Sequence, residues 1–185
     1  MMLSPCVPLD ATEAGEALDR ARRGDTSAFE ALVKAHQSMV FSLAYHYSGG
    51  DPAAAEDVAQ DVFLELFRHM DRIETPAHLV FWLRRVAANR CIDRIRKRRF
   101  EQPFDLMPEP RAQASTRDVL LDDRIRELVS ELPSQARAVM ILRFQEDLDT
   151  SDIADVLGMP VNTVKSHIRR SVEALKQKLG VKTQS

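Results

Sequence analysis

The residues with the clearest chemical pattern lie near the C-terminal end, in the stretch TSDIADVLGMPVNTVKSHIRRSVEALKQKL. Apolar side chains recur there at three- and four-residue steps from Val161 to Leu179, which predicts a helix with one buried stripe. The opposite face carries hydroxyl, amide and cationic side chains, which are the groups that bind base edges and phosphates. The members of this polar face are Asn162, Thr163, Lys165, Ser166, Arg169 and Arg170.

A shorter amphipathic helix is predicted directly before this one, from Ser151 to Leu157, and Gly158 follows it. The glycine suits a tight turn because it adopts positive φ without steric cost. Two helices joined in this way form a helix-turn-helix, whose second helix enters the major groove. The pattern therefore predicts that this part of the chain reads double-stranded DNA.

A second basic group lies in a helix predicted from about Leu79 to Arg98. Arginines on such a helix suit phosphates, and Asn89 is placed to hydrogen-bond a base edge. The alternative is a solvated basic face without a ligand, but a second basic cluster in the same chain favours nucleic acid. The residues expected to stay in solvent are Arg85, Asn89, Arg90, Asp93, Arg94, Arg96 and Lys97, while Trp82, Val86, Ile92 and Ile95 pack.

Two residues at the start of this helix each have two interpretations. Trp82 either packs in the core or stacks on an unpaired base. His78 lies in a loop predicted from Thr75 to Leu79, and it either contacts nucleic acid or has no role.

A third helix, opened by Asp51-Pro52 and running to about Met70, carries more apolar residues than one stripe needs. Val58, Val62 and Leu66 fit the core stripe, which leaves an apolar pair beside carboxylates on another face. Such a surface is typical of a docking site for a helix of another protein. The alternative is a broad stripe in which every apolar residue is core. The residues outside the stripe are Asp57, Gln60, Asp61, Leu64, Phe67 and Arg68.

Motifs of catalysis are missing: the sequence has no phosphate-binding glycine loop, no HExxH and no nucleophile elbow. Cys6 and Cys91 lack further metal ligands at suitable spacing, and Asp57 and Asp61 lack a third ligand. We therefore expect no enzyme, no metal and no cofactor. The N-terminus is not a signal peptide, and no apolar run reaches the length of about 18 residues needed to insert into a membrane, so we expect a cytoplasmic protein.

The composition favours an all-α fold, because six glycines are few for 185 residues. Helices are predicted at 12–23, 26–47, 51–70 and 79–98, then near 117–132, at 135–144 and in the helix-turn-helix. The predicted organisation is an N-terminal tail and first helix at 1–24, a helical domain at 25–99, a flexible linker at 100–117 and a second helical domain at 118–182. The first ten residues are expected to be disordered.

The order and spacing of these segments resemble one family, the extracytoplasmic-function (ECF) sigma factors, which are the smallest sigma-70 factors of bacterial RNA polymerase. The resemblance covers family region 2 from about Phe29 to Arg99 and region 4 from Ile125 to Leu179. It is carried by AFEALVKAH, AEDVAQDVFLELFRHM, FWLRRVAANRCIDRIRKRR, LPSQARAVMILRF and SDIADVLGMPVNTVKSHIRRSVEALKQKL.

The resemblance implies that the chain binds core RNA polymerase and directs promoter-specific initiation under the control of an anti-sigma factor. It implies that the third helix docks on the clamp of the large polymerase subunit through Asp57, Gln60, Asp61, Leu64 and Phe67. It implies that the loop Ile73–Val80 and the next helix hold the opened strand of the −10 promoter element. The residues that it assigns to the −10 element are His78, Arg85, Asn89, Arg90, Arg94 and Lys97.

For region 4, the resemblance implies binding to the −35 element and to the flap of the other large subunit. Lys165, Ser166 and Arg169 are placed for bases and Arg170 for backbone, with Asn162 and Thr163 on the same face. Pro160 departs from the small polar residue that the family often carries before this helix. Proline is acceptable in the first helical turn, but one side-chain cap is lost.

Two other interpretations remain open. A stand-alone DNA-binding regulator uses the same helix-turn-helix, but it leaves the third helix and the first basic group unexplained. A redox sensor acts through Cys6 and Cys91.

Overall fold

The structure is a computed structural model that describes residues 9–101 and 117–180, with side chains described at 9–97 and 123–180. Over these ranges the chain is helical and has no strand, which confirms the predicted all-α fold. Most of the predicted linker, at 102–116, and the first eight residues lie outside the described part. The helices are α1 (Ala11–Arg22), α2 (Thr26–Tyr47), α3 (Pro52–Arg68), a short 3-10 helix (Met70–Arg72), α4 (Pro76–Glu101), α5 (Arg117–Ser130), α6 (Ser134–Phe144), α7 (Thr150–Leu157) and α8 (Val161–Lys178).

Aspartates fix the start of four helices. Asp10, Asp51 and Asp149 each accept backbone N–H groups of the first turn at 2.8–3.2 Å, and Asp25 does the same for α2 at 2.9 and 3.1 Å. These bonds satisfy donors that have no partner inside the helix. Hydrogen bonds from the Ser27 hydroxyl and the Arg20 guanidinium, together with the Ala28 N–H, hold the pKa of the Asp25 carboxyl well below its usual range.

Several predicted helix ends are wrong by a few residues. α4 begins at Pro76, three residues before the predicted Leu79, because proline suits the first helical position. α1 ends at Arg22, one residue before the predicted end, and Arg23 is its C-cap. α6 begins at Ser134, one residue before the predicted start; Pro133 is at its N-cap, and no side chain caps that end. Pro160 likewise stands at the N-cap of α8 and not within its first turn, and it provides no cap.

The chain divides into two compact units. Unit 1 holds Met1–Tyr45 and Asp51–Arg90, and unit 2 holds His46–Gly50 and Cys91–Ser185. In unit 1, the core is built from one face of each helix and from Ile73 in the loop before α4. Its members include Leu18, Leu32, Val40, Leu43, Val58, Val62, Leu66, Ile73, Leu79 and Leu83, all buried.

In unit 2, α8 packs against α5, α6 and α7. The buried side chains include Leu128, Val139, Leu142, Ile153, Val156 and Val164. Gly158 ends α7 with φ 62°, which is the left-handed conformation expected of the tight turn. The predicted helix-turn-helix is therefore confirmed.

Candidate nucleic-acid and protein interfaces

The six polar residues predicted on α8 do share one face. Asn162, Lys165, Arg169 and Arg170 are exposed, and Thr163 and Ser166 are half-buried at the edge of the face. The opposite side buries Val164 and Ser171 against the rest of unit 2. The face is thus presented to a ligand as one surface. Within it, the Ser166 hydroxyl donates to the Asn162 carbonyl at 2.8 Å, so its oxygen is left as an acceptor.

Two contacts within unit 2 hold the helix-turn-helix in place. Lys178, at the end of α8, pairs with Glu131, and this pairing lowers the pKa of the Glu131 carboxyl. Arg143 Nη1 donates to the Leu148 carbonyl at 2.8 Å and so ties the end of α6 to the turn before α7. These contacts connect the end of α8 and the turn before α7 to the rest of unit 2.

The predicted −10 residues of α4 do not form one surface. At about 100° per residue, Arg85 and Asn89 lie on one face, and Arg90, Arg94 and Lys97 lie roughly a third of a turn away. Arg96, which was expected only to stay in solvent, is exposed on the Arg85–Asn89 face and extends it by two turns. The sequence already indicated that these residues share a face, because Arg85, Asn89 and Arg96 are separated by four and seven residues.

One of these arginines has a protein partner. Arg90 Nε donates to Glu65 Oε2 of α3 at 3.0 Å, and Nη2 pairs with the same oxygen. A guanidinium held by a carboxylate must exchange that bond for a phosphate to bind DNA. Arg90 is therefore less available to a strand than Arg85, which is exposed on the other face.

Trp82 is half-buried, so its ring is neither fully packed in the core nor fully open for stacking on an unpaired base. Its ring lies 6.3 Å from the ring of His69, at a tilt of 39°. The Nδ1 atom of His69 is 2.9 Å from the Glu65 carbonyl oxygen, which fixes the orientation of that imidazole.

The prediction that His78 lies in a loop is wrong: it is half-buried in the first turn of α4, which begins at Pro76. The Glu74 N–H donates to His78 Nδ1 at 3.3 Å, and the His78 N–H donates to Thr75 Oγ1 at 3.0 Å. These bonds join the short loop before α4 to the first turn of that helix, between buried Ile73 and buried Leu79.

On α3, all five predicted docking residues are exposed, and they lie within roughly a third of the helix circumference. Leu64 and Phe67 are 56% and 61% exposed, so the alternative in which every apolar residue is core is wrong. The Phe67 ring contacts Phe29 of α2 edge-on, with centroids 5.3 Å apart. We call this surface the α3 ridge: Asp57, Gln60, Asp61, Leu64 and Phe67.

The environment of Cys91 argues against redox chemistry at this thiol. Its side chain is buried, and burial raises the pKa of the thiol to about 12. The reactive species in thiol oxidation is the thiolate, so a neutral buried thiol is a poor sensor. Cys6 lies outside the described residues.

Across residues 9–101 and 117–180, no three His, Cys, Asp or Glu side chains come together in a way that could hold a metal ion. Nor does any helix in these ranges have the length and apolarity to cross a membrane.

The two regions that carry these surfaces match known family models. The model for sigma-70 region 2 matches residues 32–101, and the model for sigma-70 region 4 matches residues 122–175. The first match contains the α3 ridge and α4, and the second contains the helix-turn-helix.

The chain is also similar to curated proteins and solved structures over most of its length. It is 28% identical to the ECF RNA polymerase sigma factor SigW of Bacillus subtilis, over 88% of this chain and 94% of that protein. It is 28% identical to the ECF RNA polymerase sigma-E factor of Escherichia coli K12, over 88% of this chain and 92% of that protein.

Among solved structures, the fold is similar to that of CnrH in its complex with the cytosolic domain of CnrY. The TM-score is 0.66 and the identity 23%, over 94% of this chain and 100% of that one. RpoE of Bartonella quintana, solved with the anti-sigma factor NepR, matches with a TM-score of 0.66 and 22% identity, over 83% of this chain and 97% of that one. From the two family models and the full-length relatives together, the chain belongs to the sigma-70 family, as an ECF sigma factor.

Proposed function

We propose that this chain is a non-enzymatic initiation factor that binds core RNA polymerase and gives it promoter specificity. The observation that carries this proposal is the α3 ridge, with Leu64 and Phe67 exposed beside carboxylates in a chain that also carries two basic helices. A DNA-binding regulator has no use for this apolar surface, whereas a factor that docks on an enzyme does.

The ridge is proposed to dock on the clamp of the large polymerase subunit. Leu64 and Phe67 provide the apolar centre, and Asp57 and Asp61 provide carboxylates at its edge. Buried apolar anchors supply most of the affinity of such an interface, while charges at the rim set its orientation and association rate. A basic helix is the complementary partner.

The two basic surfaces are proposed to bind the two promoter elements. The α8 face reads the −35 element in the major groove, with Lys165, Ser166 and Arg169 toward bases and Arg170 toward phosphate. The −10 element is held by the loop before α4 and by α4. Because the predicted residues of α4 fall on two faces, we assign base contacts to Arg85 and Asn89. The proposed −10 set comprises His78, Arg85, Asn89, Arg90, Arg94 and Lys97, and we include Arg96 because it is exposed on the same face as Arg85 and Asn89.

Three further assignments complete the proposal. The functional segments are 25–99 for region 2 and 118–182 for region 4, joined by the linker at 100–117, and the family-model matches at 32–101 and 122–175 support them. Region 4 also contacts the flap of the other large subunit. An anti-sigma factor in the cytoplasm controls the chain by covering these surfaces; the similarly folded RpoE of Bartonella quintana was solved in complex with the anti-sigma factor NepR.

The decisive experiment is transcription in vitro with the purified chain, core RNA polymerase and genomic DNA, with mapping of the start sites. Start sites that appear only when the chain is added support the proposal. A chain that binds promoter DNA but never core polymerase is a stand-alone regulator, and that result overturns the proposal.

The ridge itself is tested by Leu64→Ala and Asp61→Ala. We expect each to weaken core binding by about tenfold, the loss of one interface anchor, with helicity unchanged because exposed side chains contribute little to folding. Glu16→Ala, at an exposed acidic position of α1, is the matched control and should bind as the unmodified chain does. Loss of helicity in the ridge variants, or equal binding by all four proteins, would contradict the docking role.

A further inference from the structure

The segment that we call the −10 loop runs from Ile73, just after the 3-10 helix, through the first turn of α4 to Leu79, and it is held at both ends and exposed in between. Ile73 and Leu79 are fully buried, while Glu74, Thr75 and Ala77 are exposed. The backbone of Glu74 and Thr75, which precedes the helical turn, is therefore presented to solvent in a conformation that local bonds must maintain.

Two side chains of the loop maintain it. Thr75 Oγ1 accepts the His78 N–H at 3.0 Å, and the Thr75 carbonyl accepts the Leu79 N–H at 2.9 Å, which starts α4. The His78 ring reaches back in the opposite direction and accepts the Glu74 N–H at 3.3 Å through Nδ1. Together these bonds close a small ring from Glu74 to Leu79.

The bond to Glu74 also defines the chemical state of the imidazole. A backbone N–H is only a donor, so Nδ1 has to be an acceptor and carries no proton.

We propose that His78 is a positioning residue for the −10 loop: its Nδ1 atom holds the Glu74 N–H and so presets the loop backbone for the unpaired promoter strand. The inference rests on the proposed −10 function of this loop and specifies how His78 serves it. A loop that is already ordered loses less conformational freedom when a strand binds, so the strand binds more tightly.

Two isosteric variants separate this role from a direct contact. In His78→Asn the amide oxygen lies near the position of Nδ1, and it can accept the Glu74 N–H. In His78→Gln the amide extends toward the position of Nε2, so it can replace a contact made there but not the bond to Glu74. The measurement is the affinity of the holoenzyme for a single-stranded oligonucleotide with the non-template −10 sequence.

We expect His78→Asn to bind the oligonucleotide as the unmodified chain does. His78→Gln should lose about three- to tenfold in affinity, the range set by one net hydrogen bond. Thr75→Ser should bind normally and Thr75→Val should bind like His78→Gln, because only serine keeps the hydroxyl acceptor. If Gln preserves binding and Asn does not, the ring acts through Nε2 and the positioning role is overturned. Equal binding by both variants, or equal loss, overturns it as well.

A second readout needs no polymerase. In the free chain, exchange of the Glu74 amide hydrogen should be slow in the unmodified protein and in His78→Asn, and faster in His78→Gln. Unchanged exchange in His78→Gln overturns the bond on which the inference depends. If the exchange behaves as expected but the unmodified holoenzyme binds no −10 strand, the proposed function of the loop fails and the loop geometry stands.

Discussion

At the scale of single residues, the partner of each arginine decides what that arginine does. Arg143 donates to a backbone carbonyl and supports the fold, and Arg90 pairs with Glu65 across two helices. Arg169 and Arg170 are exposed on the polar face of α8. Adjacent positions on a helix point about 100° apart, so these last two cannot make the same contact with a duplex.

Arg169→Ala is expected to reduce the preference for the correct −35 sequence by about 1–3 kcal/mol, because arginine reads guanine edges bidentately. Arg170→Ala should weaken binding to all sequences alike and reduce the salt dependence by about one counterion, because its proposed contact is with phosphate. The measurement is the affinity of the holoenzyme for duplexes with an intact and a substituted −35 element, over a series of salt concentrations.

Each arginine variant is the control for the other, since both remove one cation from the same face. A uniform loss of affinity for both duplexes in Arg169→Ala would assign Arg169 to the DNA backbone. A selective loss for Arg170→Ala would reverse the two roles.

At the scale of helices, periodicity predicted which elements form and left their ends and some of their faces undecided. α8 was predicted almost to the residue, because its buried stripe and its polar face lie on opposite sides. The start of α4 was missed because the apolar pattern begins at Leu79, whereas Thr75 and Pro76 set the first turn through a hydroxyl acceptor and a fixed φ.

The α3 ridge shows a second property that the sequence did not determine, namely which apolar residues of α3 are buried. Leu64, Phe67 and Phe63 are all apolar, and spacing alone does not tell how wide the buried stripe of α3 is. The neighbouring helices decide this: Phe63 is half-buried and the other two stay largely exposed. The partner of Arg90 was also unpredictable, because Glu65 is far from it in sequence and the two meet only through the packing of α3 on α4.

One residue in the turn between α6 and α7 has a strained backbone conformation that the sequence did not predict. Asp147 has φ 50°, the left-handed region that most side chains avoid and that aspartate and asparagine tolerate. We expect Asp147→Val to lower the free energy of unfolding by about 1–2 kcal/mol, because a β-branched side chain clashes with the backbone there.

Asp147→Asn is the matched control and should leave the stability unchanged, and Asp147→Gly should not be destabilised by strain. The measurement is urea unfolding followed by circular dichroism, with the slope compared among the variants. A valine variant as stable as the asparagine variant would show that the turn relaxes to another conformation.

At the scale of the whole molecule, the distribution of charge matters more than its sum. The net charge of the chain is −2, which by itself disfavours a polyanionic partner. The basic residues are instead concentrated on α4 and α8, and the α3 ridge carries carboxylates. Under the proposed function each basic surface binds its own promoter element weakly, and the two gain affinity together only when they reach their elements at the same time.

This bivalent binding makes initiation depend on the spacing of the two elements. Inserting five base pairs between the −35 and −10 elements turns one element to the far side of the duplex, because B-DNA repeats about every 10–10.5 base pairs. We expect transcription by the holoenzyme from such a promoter to fall by at least about tenfold, since only one surface binds at a time. The measurement is the yield of transcripts from supercoiled templates that differ only in this spacer.

The corresponding change in the protein is a longer linker between the two helical domains. A ten-residue Gly-Ser insertion after Pro110 should change the yield by only about threefold, because the entropy of loop closure grows slowly with length. Equal transcription from both spacers would show that one surface suffices and that the other does not bind promoter DNA. A large loss from the insertion would show instead that the segment between the two domains has a contact of its own with polymerase, since tether length alone cannot produce it.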